Sequence, residues 1–182
     1  MNNSLPESEL VRLWELHTQL EFDTKDAAAT VATMTPTNYV NHVPVMTGGR
    51  GINEMIEFYG KHFIPKMPAN TSLRLLARTV GKDRLVDEFV FSFTHDIVMD
   101  WILPGVQPTH RKVEVPMVVV VQFEGDKIAC ERIYWDQASV LVQIGLLDQS
   151  LLPVTGIEQA RKFEDHQLPS NELMRRATAK KA

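Results

Sequence analysis

Arg132, Tyr134 and Asp136 alternate along one apolar, strand-like stretch. Side chains two apart on a strand share a face, so the three stand in a row. Asp136, at the end of the row, is a candidate base. Removing a proton beside a carbonyl needs a carboxylate in a dry cavity, with its pKa lifted from about 3.9 by desolvation. Tyr134 could then donate a hydrogen bond to a developing enolate oxygen, and Arg132 could hold a substrate carboxylate or orient Asp136. Each residue also has a plainer reading. Asp136 precedes a helical segment and could cap its free N–H groups. Tyr134 could pack at the core edge, and Arg132 could form a solvated cross-strand ion pair.

His95 ends a second alternating face, Asp87, Phe89, Phe91, Phe93 and His95. An imidazole at the end of an aromatic wall is either an acid or base near neutral pH or a hydrogen-bonded packing residue. Asp87 is expected at the wetter end of that strand. His42, in Asn41-His42-Val43-Pro44, is a further proton-handling candidate. Trp14, Tyr39, Phe89, Phe91 and Phe93 are the expected walls around a small apolar ligand.

Other chemistries find less support. His95, Asp96, Asp100 and His110 lack the spacing of a metal-binding helix or cluster, so no metal and no cofactor is expected. Gly48-Gly49-Arg50-Gly51 has no Lys-Ser/Thr ending and reads as a turn before a helix. There is no Gly-x-Ser-x-Gly. The one cysteine, Cys130, excludes a disulfide framework within the chain and suits a buried small hydrophobe.

The elements that must position these residues follow from periodicity. Leu10, Leu13, Trp14, His17 and Leu20 recur at helical spacing, near Pro6 and the acids Glu7, Glu9 and Glu15. A second helix is predicted over Lys25 to Met34, stopped by Pro36. A third runs over Ile52 to Phe63. From Ser72 the period becomes strand-like, with strands at Ser72 to Val80, Val86 to Asp96, Val113 to Phe123 and Lys127 to Trp135. Ile97 to Leu103 extends or follows the second of these. A last helix runs from Asp136 to Gly145. Helices first and strands afterwards predict an α+β fold, in which a cone-shaped, curved antiparallel sheet wraps three N-terminal helices.

The 182 residues are 44% hydrophobic and 23% charged, with a net charge of −4. That supports a folded core and gives no basic face for nucleic acid. A polar, acidic start and short apolar runs point to a cytosolic chain without a membrane span.

Asn41-His42-Val43-Pro44, Glu131-Arg132-Ile133-Tyr134-Trp135-Asp136-Gln137 and Leu141-Val142-Gln143-Ile144-Gly145-Leu146-Leu147 together resemble the SnoaL-like polyketide cyclase group of the nuclear transport factor 2-like superfamily. The resemblance implies one domain over residues 1–148, followed by a C-terminal extension over 149–182. It implies a cone with an internal cavity and a small-molecule ligand. It places His42 at the pocket lip and a catalytic carboxylate at Asp136. The outer sheet face, to which Trp135 is assigned, would pair two copies in a homodimer. Members of this superfamily include cyclases, isomerases and non-catalytic binding modules. The expected activity is therefore cofactor-independent acid–base chemistry on a small apolar carbonyl compound, with a ligand-binding or dimerisation module as the alternative.

Overall fold

The computed structural model describes residues 5–150 and 152–179. Helix α1 (Glu7–Gln19) turns Leu10, Leu13, Trp14 and His17 inward at helical spacing. It runs directly into a wider, π-type turn, Leu20–Thr24, which buries Glu21 and ends where Lys25 takes a left-handed φ of 58°. Helix α2 (Ala27–Ala32) is capped by Asp26, whose side chain accepts from the Ala29 amide at 3.0 Å.

The second helix is shorter than its alanine content predicts. Met34 already opens strand β1 (Met34–His42), and Pro36 lies inside that strand. The strand's register shifts between Met34 and Tyr39, so the proline sits in an irregular stretch where a missing donor does least harm. Strand β2 (Thr47–Arg50) pairs back on β1. Gly48 is required there, because a Cβ on it would lie 2.0 Å from the Val40 carbonyl oxygen. Helix α3 (Gly51–Glu57) follows and continues through a π-type turn, Phe58–Phe63, into a short 3-10 turn, Ile64–Lys66.

Four long strands complete the sheet: β3 (Ser72–Val80), β4 (Arg84–Thr94), β5 (Lys112–Glu124) and β6 (Lys127–Trp135). The order is β2-β1-β6-β5-β4-β3. Strand β1 runs parallel to β6; the other neighbours are antiparallel. Register shifts in β3–β4 and β5–β6 supply the bulges that bend the sheet over the helices. In β5, Val113, Val115, Met117, Val119, Val121 and Phe123 are buried, while the residues between them are half-covered. The segment Ile97–Leu103 is not a strand. It turns back on itself and tucks Met99, Trp101, Ile102 and Leu103 into the core.

After β6 come α4 (Gln137–Gln143), α5 (Glu158–Glu164) and α6 (Glu172–Ala179). The Ser139 hydroxyl donates to the Gly156 carbonyl at 2.9 Å, which fastens the segment beyond residue 148 to α4. The last three residues of the expected C-terminal extension, 180–182, lie outside the described residues. No helix among the described residues is long and apolar enough to cross a membrane.

Candidate functional site

The curved sheet and the N-terminal helices enclose a cavity of about 590 Å³. Phe89 and Phe91 of β4, Met117 and Val119 of β5, Ile133 of β6 and Val40 of β1 form its sheet wall. Trp14, Phe22, Phe58, Tyr59 and Phe63 approach from the helices, and Trp101 from the 97–103 segment. Apolar walls of this size suit a small molecule with few polar groups. Three sets of polar side chains interrupt them.

The first set is centred on His17, which is fully buried. His17, in the last turn of α1, and Glu21, in the π-type turn that continues it, are four residues apart and lie on one side. Nε2 of His17 lies 3.1 Å from Glu21 Oε1, 3.1 Å from Glu131 Oε1 and 3.2 Å from the Tyr59 hydroxyl. On the other side of the ring, Nδ1 is 2.6 Å from Thr33 Oγ1. The Thr33 hydroxyl already donates to the Thr30 carbonyl at 2.7 Å. Its oxygen therefore accepts from His17, and Nδ1 carries a hydrogen. Trp14 stacks on the ring at 5.6 Å. Burial alone would lower the pKa of His17, but the charges of Glu131 and Glu21 and their hydrogen bonds outweigh it and raise the pKa to about 10. Burial raises the Glu21 carboxyl, against the pull of His17, and the nearby Glu131 charge adds to the rise. Burial, then the Glu131 and Glu21 charges, lift the Tyr59 phenol well above its ordinary value.

The second set bridges β3 and β4. Arg78 and Asp87 are direct cross-strand partners. The guanidinium grips the carboxylate with two bonds, Nε to Oδ1 at 2.7 Å and Nη2 to Oδ2 at 2.8 Å. Arg78 also donates to Glu15, and the Trp14 indole N–H donates to Asp87 at 2.8 Å. Asp87 is buried at the cavity wall, not at a wet strand end as expected, because Arg78 neutralises it there.

The third is His42, packed among Trp101, Trp135, Phe63 and Phe58 with ring centroids 5.0 to 5.8 Å away. Burial pushes its pKa down to about 3, so the ring is neutral. Its Nδ1 has no hydrogen-bond partner.

The residues singled out from sequence divide sharply. Trp14, His42, Phe89 and Phe91 line the cavity; Phe93 is buried beside Phe91 but does not reach it. Tyr39 is 40% exposed and lies outside the lining. His95 is buried away from the cavity. Its Nδ1 accepts from the Thr109 amide at 3.3 Å, and burial lowers its pKa. On β6 the alternation is as read, but the two faces are exchanged. Glu131 and Ile133 line the cavity and Trp135 is buried against His42, whereas Tyr134 is 42% exposed and Arg132 points away. The expected dimer-face position of Trp135 is thereby corrected. Its indole donates to Gln137 at 3.0 Å inside the fold.

Asp136 follows the end of β6 as the N-cap of α4 and does not line the cavity. Its Oδ1 accepts from the Ala138 and Ser139 amides at 2.9 and 3.2 Å, and its Oδ2 accepts from Gln159 at 2.6 Å. That is the geometry of an N-cap tied to α5. Replacing Asp136 with alanine should lower stability in urea unfolding by about 1 kcal/mol and leave ligand binding in the cavity unchanged. Loss of binding at unchanged stability would return the residue to the cavity.

Sequence reasoning missed His17, Glu21, Tyr59, Glu131 and Arg78. One signal was present: His17 and Glu21 at i,i+4 on the apolar face of a helix, where a charged pair needs a reason to be. His17, Glu21 and Glu131 also bring three potential metal-donor atoms within 4.8 Å of one another.

Known structures share this architecture. TsrD from Streptomyces laurentii is 19% identical, with a TM-score of 0.60 over 79% of this chain and 99% of its own. A nuclear transport factor 2-like protein from Burkholderia thailandensis E264 is 16% identical, with a TM-score of 0.57 over 79% of this chain and 100% of its own. SalBIII, an epoxide hydrolase/cyclase-like enzyme with a role in pyran ring formation in the polyether salinomycin, is 13% identical, with a TM-score of 0.51 over 71% and 91%. At these identities the likeness is one of fold. No match is found among curated proteins. Residues 16–131 match the model of the SnoaL-like domain, and with the sheet and cavity described above the chain belongs to the SnoaL-like family.

Proposed function

We propose that this chain is an enzyme that moves a proton on a small, apolar, carbonyl-bearing molecule, in a cyclisation, isomerisation or related lyase step. The observation that carries the reading is Glu131. It is a buried carboxylate on the cavity wall, whose Oε1 meets His17 Nε2 at 3.1 Å as an ion pair and is otherwise without a hydrogen-bond partner. Abstraction of a proton beside a carbonyl needs such a desolvated base. His17, touching the same carboxylate, offers the next station for the proton. His42 is neutral and lines the cavity, so it suits a hydrogen bond to the carbonyl oxygen without adding a charge. The Arg78 guanidinium is already committed to Asp87 and Glu15, which favours a neutral substrate over a carboxylate. Cyclisation is also the kind of step named for the structurally similar SalBIII.

The test uses small cyclic ketones in D₂O, with α-hydrogen exchange followed by NMR and binding followed by quenching of Trp14 and Trp101 fluorescence. Glu131→Gln should slow exchange by at least about 100-fold while binding persists. A variant that binds and exchanges like the parent overturns the reading. A parent that binds without exchanging leaves a binding module of the same fold.

A further inference from the structure

The His17 group does not close on its own hydrogens. Nδ1 commits its hydrogen to Thr33, and Nε2 has at most one hydrogen for three oxygens at 3.1 to 3.2 Å. Glu131, nine-tenths buried and more, aims Oε1 at this centre, 3.1 Å from His17 Nε2 and otherwise without a hydrogen-bond partner. Two ionised carboxylates and at most one imidazolium would leave a negative charge uncompensated in a dry interior, an arrangement relieved by a proton or by a metal.

We propose that His17 Nε2, Glu21 Oε1 and Glu131 Oε1 form a binding site for one divalent first-row cation of the manganese or zinc class. Donors bound at about 2.1 Å sit about 3.0 Å apart at right angles and about 3.4 Å apart at tetrahedral angles. The two His17-to-carboxylate distances, both 3.1 Å, fall in that window, and all three atoms lie within 4.8 Å of one another. One imidazole nitrogen with two carboxylate oxygens suits these borderline cations better than calcium or copper(I). The charges also close, since a neutral imidazole and two carboxylates balance a divalent ion. Thr33 is the outer partner that such a site requires, holding Nδ1–H so that the Nε2 lone pair faces inward. The Tyr59 hydroxyl stands by as a further oxygen, and the cavity, which Glu21 and Glu131 both line, is the entry path. A filled site presents a Lewis acid to the cavity where the empty one holds a proton. The inference rests on the proton-transfer reading only in treating this as the reacting end; binding itself is measured without turnover.

The full chain, stripped with a chelator, is titrated with MnCl₂ alone, and free Mn²⁺ is read by electron paramagnetic resonance. One Mn²⁺ per chain is expected. Glu131→Gln and His17→Gln should each weaken it by at least about tenfold, and Thr33→Val by about 10- to 100-fold, with Thr33→Ser restoring it. In the unaltered chain, Mn²⁺ should broaden the His17 ring signals at lower concentration than those of His42 or His95. No stoichiometric binding overturns the proposal. So does binding that the three weakening variants leave unchanged, or broadening that begins at the exposed His62–Asp100 pair and spares His17. A chain that takes no Mn²⁺ but loses exchange in Glu131→Gln sinks this inference and keeps the proton-transfer reading; the converse result does the reverse.

Discussion

Replacing His17 with leucine is expected to cost about 3–5 kcal/mol of stability at pH 7, the usual consequence of removing one partner from a buried charged group. His17 is fully buried and its Nε2 lies 3.1 Å from both Glu21 and Glu131. Without the imidazole the two carboxylates face each other with no positive charge between them. Their relief is protonation. In the variant the folded-state carboxyl pKa rises above the unfolded value, so the folded state binds protons more readily than the unfolded one. The loss is therefore full at neutral pH and shrinks as pH falls through the raised pKa toward the unfolded carboxylate range near 4. Urea unfolding at pH 7 and pH 5 measures it. The triple variant His17→Leu, Glu21→Gln, Glu131→Gln should recover most of the deficit at pH 7, because it removes the uncompensated charge along with its partner. A small loss for His17→Leu that is equal at both pH values would mean that the three groups are not electrostatically joined.

The same group marks the limit of what the sequence reveals. Helix α1, the β3–β4 and β5–β6 hairpins and the cap at Asp136 are local matters of period, turn residues and neighbouring amides, and all are legible. The aromatic face of β4 is also legible, since Phe89, Phe91 and Phe93 leave no doubt which side is inward. Strand β6 offers no such asymmetry. One face carries Arg132 and Tyr134, the other Glu131, Ile133 and Trp135, so each has an aromatic ring and a charge. The burial rule sends carboxylates outward. It fails at Glu131 because an imidazole from α1, remote in sequence, meets it in the core. The π-type turn that swings Glu21 inward has no signature in composition either. The choice between the two readings of Asp136 stayed open for a related reason: a carboxylate at the end of a strand and the start of a helix has the same residue pattern whether it faces a cavity or caps the helix. Only the sheet's curvature decides between them.

His42 should make the fold acid-sensitive in a way that can be isolated from its carboxylates. The ring sits among four aromatic residues, and burial alone lowers its pKa from 6.5 to about 3. Between those values an unfolded chain binds a proton at this histidine and the folded chain does not. Stability therefore rises with pH across the window, is complete above about 6.5 and is lost as pH falls toward 3. At 1.36 kcal/mol per unit the whole displacement is worth up to about 5 kcal/mol, of which about 3 kcal/mol is gone by pH 4. His42→Leu removes the ionisable group and keeps the site apolar. Its stability should decline less than the parent's between pH 7 and pH 4, by that same amount of about 3 kcal/mol, whatever its starting value. Carboxylates titrate in both proteins and cancel in the difference. Parallel curves would show that the His42 ring is charged or hydrated in the folded chain, and would remove the neutral hydrogen-bonding partner proposed for a carbonyl oxygen.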